Sequence, residues 1–312
     1  MYLKPSENNY LFGMSYFFNE IIDLYNNKKM PNKILLSGKK SLGKSTLAYH
    51  IINYILSSNE DYKYIIEEFM INKENKSYKL VQNRSHPNFY LIDLIDEKKN
   101  IDVTQIREMI VYTNKSCFNN MPRFILIDNI ENLNKNSINA LLKIIEEPNE
   151  GIFFILINNS EKQILPTLKS RCLVFKIHLT FKQSIDIANQ LLNKNILDHV
   201  SSDFISHYIS PGEIINLINL ADDKKINFLK HDLESLIKLL INNAYYKKNK
   251  IIKKILINFI ELFFLKEYRS TNTKKSFLNF YHDFFSKLKN VEKFNLDEES
   301  FFLEFKSKLL HE

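Results

Sequence analysis

Nine consecutive residues, Gly38-Lys39-Lys40-Ser41-Leu42-Gly43-Lys44-Ser45-Thr46, constrain this chain more than any other stretch. They follow an apolar run, Lys33-Ile34-Leu35-Leu36-Ser37, and open a helical pattern. The spacing is G-x-x-x-x-G-K-S/T in the strand-to-helix context that gives it meaning. Its glycines allow a turn in which successive backbone N–H groups point at phosphate oxygens, and the helix start adds its dipole. Lys44 is expected to reach the β- and γ-phosphates of a bound nucleotide, and the Ser45 hydroxyl to ligate Mg²⁺. With only 5 Gly in 312 residues, two of them at this offset are not a by-product of composition.

The rest of the front half fits that start. Short apolar runs at Lys33–Ser37 and at 89–94, 124–128, 152–157 and 173–177 alternate with helical stretches at Lys44–Leu56, 103–112 and 137–147. Strands buried on both faces and separated by helices predict βαβ units and a parallel sheet. Every Gly and Pro lies at or before Gly212, so nothing downstream interrupts a helix. There Leu233, Leu236, Leu239 and Leu240 recur at helical spacing, followed by Ile252, Ile255, Leu256, Phe259 and Leu262, then by Phe277, Phe280, Tyr281, Phe284 and Phe285. Stripes of this kind are core. The fold expected is α/β and then all-α, in three parts: residues 1–178 around the phosphate loop, a small helical part at 179–221 broken by Ser210-Pro211-Gly212, and a helical part at 222–312.

Composition excludes several classes. At 45% apolar and 25% charged residues the chain is neither disordered nor collagen-like. A formal charge of +7 favours approach to phosphates without proving it. Two cysteines, Cys117 and Cys172, make neither a metal quartet nor a disulfide framework, which fits a reducing compartment. No run of 18 or more apolar residues occurs, and MYLKPSENNY lacks the basic and apolar regions of a leader, so a soluble cytoplasmic protein is expected.

A second strand ends in Asp128, the carboxylate that a phosphate-loop nucleotidase uses to hold Mg²⁺. Asn129 follows it, and an amide cannot take a proton from water at neutral pH. Glu131 is expected to cap a turn or face solvent rather than replace the base. Further on come Asn139-Ala140-Leu141-Leu142-Lys143-Ile144-Ile145-Glu146-Glu147-Pro148 and, after Leu165-Pro166-Thr167-Leu168-Lys169, the tripeptide Ser170-Arg171-Cys172. With Leu11-Phe12-Gly13, Ser85-His86-Pro87 and residues 101–107, these strings closely resemble the bacterial DNA polymerase III clamp-loader branch of the AAA+ ATPases. The resemblance runs from Leu11 to about Gly212, and more loosely through the helical rear.

The resemblance implies an AAA+ nucleotide-binding domain, a helical lid and a helical collar that joins subunits. It implies ATP and Mg²⁺ at Gly38 through Thr46 with Asp128, and a phosphate-sensing residue at Asn158 or Asn159, with Asn159 preferred. It implies that Arg171 works in trans, neutralising charge in a neighbour's site, where such arginines are worth on the order of 10³ to 10⁵ in rate. The plain alternative is an arginine in a surface salt bridge. Family motors carry a four-cysteine zinc module, a Glu after the Mg²⁺ Asp, and an arginine at the start of the last lid helix. This chain has no cysteine between Gly43 and Cys117, has Asn129, and has Glu213 after Ser210-Pro211-Gly212. No zinc is therefore expected, a carboxylate at 213 would repel a triphosphate, and intrinsic hydrolysis should be weak or absent. The implied partners are motor (gamma/tau-like) and clamp-opening (delta-like) subunits, the sliding clamp and, through the complex, primed DNA. The rivals are an active motor-type ATPase and, more remotely, a small-molecule phosphate-loop kinase, which would need an arginine motif that is not visible between Leu47 and Asn83.

Overall fold

A computed structural model of the chain describes residues 4–95, 98–115, 121–160, 163–205, 209–247, 249–270, 274–294 and 297–309. Cys117 lies outside them, as does the side chain of Phe277, while Cys172 is a free thiol. The chain divides into two compact units: Met1–Gln190 with Ser210–Gly212, and Leu191–Ile209 with Glu213–Glu312.

The first unit holds α1 (Ser15–Asn26), β1 (Lys33–Ser37), α2 (Lys44–Leu56), α3 (Lys76–Gln82), β2 (Phe89–Ile92), α4 (Val103–Thr113), β3 (Arg123–Ile127), α5 (Lys135–Glu146), β4 (Ile152–Asn158), α6 (Pro166–Lys169) and β5 (Leu173–Lys176). The strands form one parallel sheet in the order β2-β3-β4-β1-β5. Strand alternation splits its side chains between two cores. Ile34 and Leu36 of β1 and Phe124 and Leu126 of β3 pack with Phe18 of α1 and Leu47 and Ile51 of α2. Leu35, Ile125 and Ile127 pack with Ile106 and Met109 of α4 and Leu141 and Ile145 of α5 on the other face. Burial on both faces explains why these strands read as unbroken apolar runs.

The α/β front and the helical rear expected from the sequence are both present, with small shifts at element ends. β2 stops at Ile92, so Asp93 lies past its end, and β3 stops at Ile127. Asp128 still donates its backbone N–H to Ile92 O at 2.9 Å, and Asn129 then turns the chain in the left-handed region at φ 57°. α5 starts at Lys135 rather than 137, because the Asn134 side chain caps it by accepting from Ser137 N at 2.9 Å.

α7 (Phe181–Leu192) belongs to the first unit as far as Gln190, and the second unit carries α8 (Pro211–Lys224) from Glu213 onward, α9 (Leu233–Asn242), α10 (Lys250–Ser270), α11 (Lys274–Phe294) and α12 (Glu298–Leu309). Its centre is aromatic: the Phe264 ring lies 5.4 to 6.1 Å from those of Phe280, Tyr281, Phe284, Phe285 and Phe305. Glu213 is buried within this unit and pairs with Lys254 at 3.3 Å. Among the described residues no helix is long and apolar enough to cross a membrane.

Candidate nucleotide site

The phosphate loop leaves the sheet beside the end of β4, where Gly38 N donates to Asn158 O at 3.2 Å. Gly38 is required by space: a Cβ there would stand 2.3 Å from the Ile177 carbonyl oxygen. The turn itself places Ser41 at φ 63° and Gly43 at φ 98°. Leu42 anchors the loop in the core, Lys39 and Lys40 are exposed, and Ser45 and Thr46 are half-buried in the first turn of α2. From the same unit Gly212 N donates to Ser41 O at 3.2 Å, so close that a Cβ on Gly212 would meet the Ser41 Cβ at 2.7 Å.

Lys44 is only 2% exposed, and its ammonium donates to Gly38 O at 3.0 Å and Lys39 O at 2.5 Å. The charge sits inside the loop that bears it, held by carbonyls that the oxygens of a phosphate could replace. The Ser45 hydroxyl donates to Asp128 Oδ2 at 2.5 Å. Burial pushes the Asp128 carboxyl up to about 6, with the charge of Asp93 acting in the same direction against the hydrogen bond from Ser45. Two hard oxygen donors that converge, one a carboxylate short of compensating charge, fit Mg²⁺. Ser45 and Asp128 are the residues that would hold it.

Around Asp128 runs a polar network that the sequence does not announce. Asn129 N donates to Asp128 Oδ1 at 2.7 Å, Asn129 Nδ2 to Asp93 Oδ1 at 2.7 Å, and Asn159 Nδ2 to Asn129 Oδ1 at 2.8 Å. Asn159 N donates to Glu131 Oε2 at 3.2 Å. Asn158 is engaged elsewhere, donating to Ser37 Oγ at 3.2 Å, so of the two asparagines only Asn159 joins the group around Asp128. Glu131 corrects an expectation. It is buried, and its carboxylate turns inward to the backbone after β4 because the short 3₁₀ turn at Ile130–Asn132 folds it under. Asp93 carries no motif in the sequence. Its one cue was topological: it follows a strand adjacent to β3, and parallel strands gather functional residues at their carboxyl ends.

Arg171 is not brought to this group. Its Nη2 donates to Glu146 Oε1 at 2.6 Å and its Nη1 to Thr167 O at 2.8 Å, with the side chain 35% exposed. A cleft of about 760 Å³ lined by Arg107, Ile110, Asn139 and Lys143 of α4 and α5 includes none of the loop residues, so concavity alone does not mark the nucleotide site.

Comparison with known proteins gives the family. A delta-prime subunit of DNA polymerase III from Buchnera aphidicola subsp. Schizaphis graminum is 29% identical over 243 residues, 76% of this chain and 71% of the relative. The delta-prime subunit from Buchnera aphidicola subsp. Baizongia pistaciae is 25% identical over 269 residues, 84% of this chain and 72% of the relative. A DNA polymerase III gamma subunit from the first of these bacteria is 28% identical over 223 residues, 70% of this chain and 58% of the relative. The family model described as "DNA polymerase III, delta subunit" matches residues 14–180, which span the phosphate loop, Asp128, Asn159 and Arg171, and the chain belongs to that family.

Proposed function

We propose that this chain is a delta-prime-like subunit of a DNA polymerase III clamp loader, one that holds a nucleotide without turning it over and lends Arg171 to a neighbouring motor. The observation that carries this is the state of position 129. The loop, Ser45 and Asp128 are all in place, but where a motor needs a carboxylate there is an amide hydrogen-bonded at both ends. When bound, Mg²⁺–ATP would place its phosphates against the loop N–H groups and Lys44, with Ser45 and Asp128 holding the metal. Asn159 would report the phosphate end through Asn129. The amide at 129 cannot itself draw a proton from water, and the reading needs no zinc.

Association with gamma-type subunits is supported by the relatives. Partnership with a delta-like subunit, the sliding clamp and primed DNA belongs to the same proposal. So does the three-part division at about 178 and 221, with the lid and collar that it implies. A second reading, a motor-type ATPase, is favoured by the likeness to gamma subunits and the intact loop. Titration of the purified chain with a fluorescent ATP analogue, run beside phosphate release, separates the two. Binding without turnover is expected, and turnover at motor rates that Lys44→Ala abolishes would sink the proposal. Stable co-purification with gamma-type subunits, lost on deleting residues after 221, tests the assembly.

A further inference from the structure

The carboxamide of Asn129 is polar in a fixed sense. Its Nδ2 end faces the Asp93 carboxylate at 2.7 Å, and its Oδ1 end accepts from Asn159 at 2.8 Å. Asp93 is itself held in place: its Oδ1 also accepts from Leu94 N at 2.7 Å, and its main-chain carbonyl accepts from Gln105 Nε2 at 2.9 Å. Asn129 has little room to adapt, being in the left-handed region with its own N–H bonded to Asp128. An ionised carboxylate offers only acceptors. Placed at 129, it would set oxygen against oxygen at Asp93 and add a further negative charge beside Asp128.

We propose that Asp93 commits position 129 to an amide, so that Asp93, and not merely the missing Glu, keeps the site a holder of nucleotide. Asp93 is a positioning residue here: it acts through Asn129. The inference rests on reading 129 as the place of the base. Its consequence is specific. Restoring a carboxylate at 129 alone does not restore hydrolysis, because Asp93 opposes it, whereas exchanging donor and acceptor between the two positions relieves the conflict.

The test is a double-mutant cycle in the full chain, read by melting temperature. Asn129→Asp should lower Tm by roughly 3 to 8 °C with Asp93 present. Combined with Asp93→Asn, whose amide can donate where the native residue accepted, it should recover more than half of that loss. Equal losses in both backgrounds overturn the proposal. If Asn129→Asp does not fold, Asp93→Ala and Asn129→Ala form a second cycle, in which strictly additive shifts overturn the proposal and a double variant less damaged than the sum supports it. Phosphate release gives the functional arm: Asn129→Glu alone should stay at the native level, and Asn129→Glu with Asp93→Asn should exceed it about tenfold, the effect of a general base being at least that large. Equal release by the two removes Asp93 from any part in hydrolysis. A native chain that binds no fluorescent ATP analogue would sink the function proposed above and leave the outcome of the cycle standing.

Discussion

The two units are built by different means. In the first, a sheet of apolar strands carries at its carboxyl edge a set of buried or half-buried polar groups, each aimed at another: Lys44 at loop carbonyls, Ser45 at Asp128, Asn129 between Asp93 and Asn159. In the second, aromatic rings fill the centre and charged pairs such as Lys247–Glu299 and Lys287–Glu304 lie at the periphery, the buried Glu213 with Lys254 being an exception. Apolar packing is non-directional and tolerates exchange of like for like. A buried polar group is intolerant, since removing one partner strands the other. The front should therefore be sensitive to the chemistry of its residues and the rear to their volume.

The hardest test of that contrast is Phe305→Ala. This ring is 1% exposed and lies against those of Phe263, Phe264 and Phe284, so its loss should cost about 3 to 5 kcal/mol. Calorimetry should show the melting of the helical rear lowered while affinity for a fluorescent ATP analogue is kept. Loss of that affinity would break the separation of the units.

Acid should act on the front. His50 is fully buried, accepting from the Tyr64 hydroxyl at Nδ1 (2.8 Å) and donating from Nε2 to Asn8 O (3.1 Å). Burial pushes its pKa down to about 4. The unfolded chain, titrating near the ordinary 6.5, binds the proton more readily, so this contribution is whole above about 6.5 and lost as pH falls from there toward 4. The loss is at most about 3 kcal/mol. Denaturant melts at pH 7 and pH 4.5 should show it, and His50→Gln should flatten that part of the profile. An unchanged profile would remove His50 as the cause.

The smallest effect concerns Arg171. Its pair with Glu146 is partly exposed, and such pairs are worth about 0 to 1 kcal/mol, so Glu146→Ala and Arg171→Ala should each leave stability within about 1 kcal/mol. In a reconstituted clamp loader Arg171→Ala should nonetheless reduce ATP hydrolysis and loading. Unchanged loading would return Arg171 to the surface salt bridge that the isolated chain displays.

How far all this could be read in advance depended on the range of the signal. β1 and α2 were legible to the residue because the phosphate loop between them fixes where one ends and the other begins. The other strands stand out as apolar runs whose ends are legible only to within a residue or two, and the start of α5 is shifted because the Asn134 cap decides it. α1 and α3 leave little mark in the sequence, α3 because seven residues are too few to display a period. The network around Asn129 joins residues 30 and 36 positions apart in the chain. Such pairing leaves no periodic trace, so neither Asp93 nor the inward turn of Glu131 is legible in the sequence.

The bond between Asp93 and Asn129 also bears on descent. On the reading proposed above, a lineage carrying it finds no single step toward a hydrolysing site that brings a gain. A carboxylate at 129 arriving first meets Asp93 at 2.7 Å, and a change at Asp93 arriving first brings no gain while 129 remains an amide. If the proposal holds, the pair works as a ratchet: while both residues are in place, an amide at 129 is protected by the stability of the fold.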